Sequence, residues 1–508
     1  MTAELARAGG AVGAAGLGLL LTAPRRDLRL AGLAASAAGA LALAYYLAPH
    51  GHLKLLAAAA VVGLVLAAAL ATGLRRWPWA LPVLALACFP ARIPVTVGST
   101  DANLLIPLYG VVAGAGLALA YELARGDERS RELGVISWPL AAFVAWSGVS
   151  VVWSEDLRQG AIELLFFYLP FGLLAVVLAR LEWRRRWLSV LYAELAMMAL
   201  AFAGVGIYQW ITRDVFWNPK VKVANAYLPL YRVNSVFWDP SIYGRFLVTA
   251  ILVSLIVVLY ETRRRFAYAA GAAIAATWVG LLFSFSQSSF VALIAGVLVA
   301  AAIAWRWQTV VAVVLGAAVV VGLGMAVPQV RHSLLRHSSA GLNKASSGRY
   351  ELVSTGAKIA ARHAAVGVGL GGFKRAYARR LHLKGKEPKK AASHDTPITV
   401  AAETGVPGLA LLAWLLVTAL ALPFRRIGRS FDGRACFAFG LVLAAIGVHS
   451  FFYNAFFEDP MVWGLFGLAA LAAAPRARAV TEPPRRVAAR TPVAAAAPPA
   501  DRTPAEAG

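Results

Sequence analysis

The chain has 508 residues, of which 60% are hydrophobic and only 15% carry a charge. Ordinary soluble domains hold about 25% charged residues, so this composition excludes a water-soluble enzyme. The mean hydropathy of +0.67 agrees. The net charge of +24 is scattered between apolar runs rather than gathered in one soluble domain, which argues against a nucleic-acid partner. The composition predicts a polytopic membrane protein.

Fifteen apolar runs follow one another along the chain, and most approach the ~20 residues that a helix needs to cross a bilayer. In chain order they are 9–23, 28–49, 53–74, 77–98, 103–123, 136–153, 160–180, 187–211, 242–261, 266–285, 288–305, 309–327, 397–423, 435–455 and 460–474. Prolines at positions 82, 90 and 94 interrupt the fourth run. The strict alternation of a β-barrel is absent from the sequence, so we expect an all-α bundle of transmembrane helices.

Arginine clusters occupy every second connector between these runs, beginning with Arg25 and Arg26. Basic connectors stay on the cytoplasmic side of a membrane, so we expect the intervening connectors outside. The tail 475–508, rich in Pro, Ala and Arg, is then cytoplasmic and disordered. No cleaved signal peptide is predicted, because residues 1–10 lack a basic start and a cleavage site. The sequence indicates a multi-pass protein of the cell membrane.

Two external connectors are long, spanning about 212–241 and 328–396. The second carries fourteen Lys and Arg against three Asp and Glu. Such a charge suits anionic lipid headgroups or a substrate with a phosphate or pyrophosphate, and charge alone does not choose between them. This connector is too poor in apolar residues for a separate domain, so we expect it to pack over the bundle.

The first connector carries Arg232, followed by Asp239-Pro240-Ser241 and then by Arg245 at the start of the next apolar run. An unpaired charge inside a span costs about 2.5–3.5 kcal/mol on insertion scales. Arg245 is therefore expected either to face the bundle interior or to snorkel towards the headgroups.

The second connector contains Ser347-Gly348-Arg349, then Arg362, and then a glycine-rich segment at 367–372 that includes Gly369 and Gly371. Backbone N–H groups of such a segment can approach phosphate oxygens, although a flexible turn has the same composition. No Gly-Lys-Ser/Thr follows, so the segment is not a Walker A loop.

The second connector ends on His394 and Asp395, and Glu403, Gly405 and Gly408 follow on the next apolar run. A histidine at the membrane edge beside a basic connector is a candidate functional group. The alternative is an interfacial histidine next to a helix that Asp395 or Thr396 caps.

The order and the common face of these three stretches resemble the O-antigen ligase and O-antigen polymerase family of membrane glycosyltransferases. The resemblance covers about 77–474, and it leaves 1–76 as additional N-terminal helices. The twelve remaining spans match the family's usual count. Three departures are visible: Asp395 follows the histidine, Asp239 and Ser241 replace two asparagines, and 286–289 lacks an arginine that the family often has there.

The resemblance implies a transferase that moves a glycan from a polyprenyl pyrophosphate in the outer leaflet to a hydroxyl of a lipid or another glycan. Arg232 and Arg349 would stabilise the leaving pyrophosphate, with Arg245 and Arg362 as helpers, and His394 would accept the acceptor's proton. Asp395 would orient the histidine, and Gly369 and Gly371 would line the substrate. Neither a metal nor another cofactor is expected, and membrane lipid is an expected partner.

Ligase and polymerase share these motifs, so the sequence leaves both open. Two other classes remain as alternatives: a transporter or flippase of lipid-linked glycan, and a non-catalytic scaffold for envelope assembly. A transporter would carry its charges near the midplane, on broken helices in matching halves of the chain.

Overall fold

The computed structural model describes residues 1–49, 51, 53–97, 100–216, 218–227, 230–304, 308, 311, 349–383 and 393–474. Within this part of the chain, twelve helices or continuous helical segments are long and apolar enough to cross a membrane. The all-α polytopic bundle predicted from the sequence is thereby confirmed. The expected span at 309–327 and the tail 475–508 lie outside the described residues.

The helices are numbered along the chain. They are α1 (Thr2–Thr22), α2 (Arg26–Leu47), α3 (Leu53–Arg76), α4 (Ala80–Cys88), α5 (Ile106–Ala124), α6 (Ser137–Ser150), α7 (Leu157–Glu163), α8 (Leu169–Ala179), α9 (Arg185–Thr212), α10 (Pro219–Tyr227), α11 (Pro240–Tyr260), α12 (Arg264–Ser284), α13 (Gln287–Ala304), α14 (Arg349–Arg362), α15 (Phe373–Arg380), α16 (Thr396–Phe424), α17 (Phe431–His449) and α18 (Pro460–Ala473). A π-helical turn, Leu164–Tyr168, joins α7 to α8. Short 3-10 turns at Gly134–Ile136 and Val151–Trp153 flank α6.

The sequence-based span at 77–98 is wrong. Only α4 forms there, and two antiparallel strands follow it, β1 (Ile93–Val97) and β2 (Thr100–Leu104). Nine helical residues reach about 14 Å, well short of the ~30 Å apolar core of a bilayer. The physical reason is the proline content, because proline lacks the N–H that continues a helix and its ring clashes with the preceding turn.

Glycines allow α1 and α2 to pack backbone against backbone. A Cβ atom added to Gly39 would lie 2.4 Å from Gly13 Cα, and one added to Gly32 would lie 2.7 Å from the Gly16 carbonyl oxygen. Small residues at such positions are the usual means of close helix approach in membranes. Helix α1 also packs against α6, where Gly148 meets Ala14, so the N-terminal helices are part of one compact unit, Met1–Ala473.

Ion pairs gather several arginine-rich connectors at one end of the bundle, hereafter the basic end. Arg180 bonds Glu132 at 2.5 Å and Asp127 at 2.7 Å, and Arg29 bonds the same Glu132 at 2.6 Å. Arg131 Nε donates to the Thr22 carbonyl at 3.1 Å. These contacts join the α5–α6 and α8–α9 connectors to the adjoining ends of α1 and α2, and the arginine pattern assigns all of these ends to one side of the membrane.

The connectors with the candidate functional residues lie at the other end, hereafter the site end. Helix α11 starts at Pro240 beside them and finishes at Tyr260, whose carbonyl accepts a hydrogen bond from Arg434 of α17 at 2.7 Å. Trp183, in the α8–α9 connector, donates to Asp432 of the same α17 turn at 2.7 Å. The length of α11 therefore separates the basic end from the site end.

Candidate functional site

Arg232 is held at the site end by its backbone and by one edge of its guanidinium. The Asn225 side chain accepts from the Arg232 N–H at 3.0 Å and donates to the Arg232 carbonyl at 2.8 Å. Arg232 Nε donates to the carbonyl of Ser284, the last residue of α12, at 3.1 Å. This anchoring through Nε fixes the plane of the guanidinium, whose outer nitrogens suit a pair of phosphate oxygens.

Asp239 and Pro240 start helix α11. The Asp239 carboxylate accepts the Ser241 N–H at 2.7 Å, and Pro240 occupies the first helical turn. Both are favoured at these positions, because the cap satisfies a free N–H and proline has none to satisfy. The cap therefore fixes the Asp239 side chain at the start of α11. Asp239 follows Arg232 by seven residues in the chain.

His394 and Asp395 are adjacent in the chain but have different structural roles. Asp395 caps α16, since its carboxylate accepts the Ile398 N–H at 2.8 Å. His394 has a left-handed backbone with φ of 56°, which for a non-glycine residue is uncommon and often marks a functional position. The structure therefore gives the Asp395 carboxylate a capping contact rather than a contact with the imidazole.

Arg232, Arg349 and His394 lie within electrostatic reach of one another, although 162 positions separate the first from the last. Burial is the main cause that lowers the pKa of Arg232 and of His394, and the Arg349 guanidinium lowers both further. The Asp239 carboxylate acts in the opposite direction on both groups. These four side chains, hereafter the cationic cluster, place two guanidiniums beside an imidazole that stays neutral near pH 7.

The glycine-rich segment packs against protein backbone. Gly369 and Gly371 have φ of +83° and +78°, and added Cβ atoms would lie 2.2 Å from Ser154 Cα and 2.4 Å from Gly160 N. The Gly369 N–H already donates to the Glu403 carbonyl at 2.8 Å. Close backbone contact explains these glycines, and the Gly369 N–H points to protein rather than to a phosphate.

Helix α16 breaks where this segment docks. Gly405 has φ of 71° and ψ of −170°, and the next N–H, of Val406, donates to the Ala364 carbonyl at 2.7 Å. The Glu403 carboxylate accepts the Phe373 N–H at 3.1 Å, at the start of α15. The Glu-x-Gly pair thus bonds the second connector to the bundle, which agrees with the expectation that this connector packs over it.

The two lower-ranked arginines have different surroundings. Arg245 does not snorkel: its side chain is 2% exposed and lies 2.7 Å from the Asp459 carboxylate. Arg362 is exposed at the last position of α14. The structure brings Arg245 into the bundle interior and leaves Arg362 on the surface.

Sequence reasoning missed the α17–α18 connector, which contributes Tyr453. The Tyr453 ring centroid is 5.9 Å from the Arg245 guanidinium carbon and 5.6 Å from the His449 ring centroid. Tyr453 also contributes to the electrostatics of Arg232. His449 Nε2 is 3.0 Å from Ser288 Oγ. The signal that could have found this connector is its run of His, Tyr, Asn, Glu and Asp at a membrane edge.

A cavity of about 210 Å³ opens beside the first turns of α16. Its polar lining consists of the carboxylates of Glu163, Glu403 and Glu458, the hydroxyls of Thr396 and Thr399, the amides of Gln159 and Asn454, and Lys374. Thr396 Oγ1 is buried without a hydrogen-bond partner in the described part of the chain. The remaining lining is largely aromatic, and a pocket of rings with a few polar groups is typical of small-molecule sites.

Part of the basic charge in the second connector is neutralised. Arg375 Nε lies 3.1 Å from the Asp156 carboxylate, and Arg379 pairs with Glu155. Seven of the fourteen basic residues, those at 331, 336, 344, 384, 386, 389 and 390, fall outside the described residues. Arg349, in contrast, is close enough to Arg232 and His394 to lower the pKa of both.

Residues 271–413 match the family model Wzy_C, described as O-Antigen ligase. The matched segment runs from α12 into α16 and contains Arg349, the glycine-rich segment and His394. It ends before the α17–α18 connector and begins after Arg232. A search of curated proteins finds no match to the chain.

Proposed function

We propose that this chain, whose residues 271–413 match the O-antigen ligase family model, is a membrane glycan transferase. Its donor is an oligo- or polysaccharide on a polyprenyl pyrophosphate, and its acceptor is a hydroxyl of a lipid or another glycan. The observation that carries the proposal is the cationic cluster, in which segments far apart in the chain bring Arg232, Arg349 and His394 to one place.

The reaction needs a base at the acceptor and positive charge at the leaving group. The acceptor hydroxyl gives its proton to the neutral imidazole of His394 while its oxygen forms a bond to the anomeric carbon. The bond from that carbon to the pyrophosphate oxygen breaks, and the electron pair leaves with the pyrophosphate. Arg232 and Arg349 stabilise this growing negative charge, so the proposed reaction proceeds without a metal ion.

The cavity beside α16 suits the acceptor. Three carboxyl groups line it, and their oxygens accept hydrogen bonds from sugar hydroxyls. We place the active site on the external face of the cell membrane, because the arginine-rich connectors lie at the other end of the bundle.

The decisive experiment is deletion of the gene in its host, with the surface polysaccharide and the lipid-linked glycan pools measured together. Accumulated lipid-linked polymer with no attached product would identify a ligase. Accumulated single repeat units would identify a polymerase. Unchanged pools would contradict the transferase and would favour a scaffold. In a membrane assay, activity should persist in EDTA, and a loss restored by divalent cations would contradict the metal-free reaction.

A further inference from the structure

A second cavity among the described residues lies at the basic end, away from the cationic cluster. It measures about 520 Å³ and is bounded by the ends of α3, α5 and α8 and by the starts of α4 and α9. Because these helices are membrane spans or lie between them, the cavity sits where the bilayer interior meets the headgroups.

Five arginines and two glutamates line this cavity: Arg75, Arg76, Arg129, Arg180, Arg184, Glu122 and Glu182. Three of the arginines already have carboxylate partners. Arg129 and Arg180 share Asp127 at 2.6 and 2.7 Å, and Arg184 pairs with Glu182.

Arg75 and Arg76 differ from the other three. Neither makes an ion pair with another described residue. Arg75 lies over the Tyr121 ring, with its guanidinium carbon 3.7 Å from the ring centroid, and Arg76 lies 5.4 Å from the Trp77 centroid. The rings orient both cations without neutralising them, so the cavity keeps an excess of positive charge.

The rest of the cavity wall is apolar. It includes Leu74, Ala115, Leu119 and Val177, which belong to α3, α5 and α8. Trp79 and Trp187 complete the wall, and the Trp187 ring N–H donates to the Glu182 carbonyl at 2.7 Å. Tryptophan is enriched where apolar and polar layers meet.

A cationic rim above an apolar wall at a membrane edge matches an amphiphile with an anionic head. We propose that this cavity binds an anionic phospholipid, with its phosphate between Arg75 and Arg76 and its acyl chains along α3 and α5. Basic pockets between transmembrane helices are suited to such headgroups. A free phosphate would use the rim but would gain nothing from the wall, so the proposal commits to the lipid.

The test compares lipids on the purified full-length chain in detergent, by thermal unfolding and by native mass spectrometry. Phosphatidylglycerol should raise the Tm by several degrees and remain bound. Phosphatidylcholine and inorganic phosphate should do neither. In Arg75→Gln/Arg76→Gln the shift should vanish and the bound lipid should fall about tenfold.

The matched control is Arg263→Gln/Arg264→Gln, which removes the same charge from the start of α12, outside the cavity lining. It should keep the full lipid response. Equal losses of the lipid-induced Tm shift in both double variants would overturn the proposal and indicate binding to surface charge in general. A Tm shift of the same size with inorganic phosphate would overturn the lipid assignment and indicate a site for small anions.

A second variant keeps every charge and obstructs the apolar wall. Ala118→Phe places a ring in the cavity beside Leu119 and should abolish retention of phosphatidylglycerol. Unchanged retention in this variant would overturn the assignment of the acyl chains. None of these measurements uses transfer activity, so their outcome is independent of the proposed reaction.

Discussion

Burial and the charges of the cationic cluster together set the protonation state of His394. Burial and the neighbouring Arg349 lower its pKa below the usual 6.5, and Asp239 partly opposes them. A neutral imidazole can accept a proton, whereas an imidazolium cannot. Arg349 therefore has two effects in the proposed reaction: it binds the leaving group, and it keeps the base unprotonated.

The first prediction concerns these two residues. His394→Ala and Arg349→Ala should each lower transfer by about 10²–10⁴-fold, because one removes a general base and the other a charge that stabilises the transition state. Membrane insertion should be unchanged. Lys358→Ala is the control, since Lys358 is an exposed cation on the same helix α14. Full transfer by either variant would remove that residue from the reaction.

The second prediction concerns pH. Asp239→Asn keeps the helix cap, because asparagine caps as well as aspartate does, but it removes the anion that raises the His394 pKa. The base then stays neutral to lower pH, so the acidic limb of the pH–rate profile should move to lower pH. An acidic limb that stays in place, or moves to higher pH, would show that the titration of His394 does not produce it.

At the scale of elements, the glycine-rich segment and the break in α16 act together. The segment fits into a space between α16 and the α6–α7 connector that only backbone can fill, and the Glu403 carboxylate fixes the start of α15. The sequence could predict that glycine is required there. It could not distinguish approach to a phosphate from approach to another backbone, because both demand the same residue.

The third prediction follows from this packing. Gly371→Ala should destabilise the folded protein by more than the roughly 1 kcal/mol of an ordinary glycine effect, since its Cβ would meet Gly160 N and its φ is positive. Gly271→Ala in α12 is the control: a Cβ there meets nothing within 4 Å, so it should leave the Tm equal or higher. A Gly371→Ala protein with normal Tm and no transfer would point to direct substrate contact.

The fourth prediction concerns the buried pair that joins α11 to the α17–α18 connector. Asp459→Asn leaves Arg245 without its carboxylate, and breaking such a pair costs about 3–5 kcal/mol. Adding Arg245→Met should recover much of the lost stability. Thermal unfolding of both single variants and the double variant forms a cycle, and strictly additive effects would exclude an energetic coupling between the two side chains.

Hydropathy found most of the membrane helices but failed at 77–98. An average over a window registers the apolar side chains there and ignores that proline cannot continue the hydrogen bonds of a helix.

Tyr453 and Asp459 were missed for another reason. They reach the site through the packing of α17 and α18 against α11, and no spacing in the sequence expresses that contact.

At the scale of the whole molecule, the two ends of the bundle carry different chemistry. The basic end gathers connectors through ion pairs, and the site end holds the cationic cluster and the acidic cavity. The sequence anticipated this division, because arginine clusters recur at every second connector and the candidate residues fall on the others. The depth and shape of either cavity depend on helix packing, which the sequence does not reveal.

The fifth prediction tests this orientation. In a background with Cys88→Ala and Cys436→Ala, an impermeant maleimide should label Lys358→Cys in intact cells. Arg264→Cys should react only after the membrane is permeabilised. The opposite pattern would place the cationic cluster in the cytoplasm and would contradict an external transfer reaction.

The ion pair between Arg245 and Asp459 also has a consequence for biosynthesis. A ribosome adding 5–20 residues per second needs roughly 10–40 s to reach Asp459 after Arg245. During that interval α11 enters the bilayer with an uncompensated charge near its outer end, where the long side chain can extend to the headgroups. Nascent α11 is therefore expected to insert in one arrangement and to lock into another only when the last helices emerge.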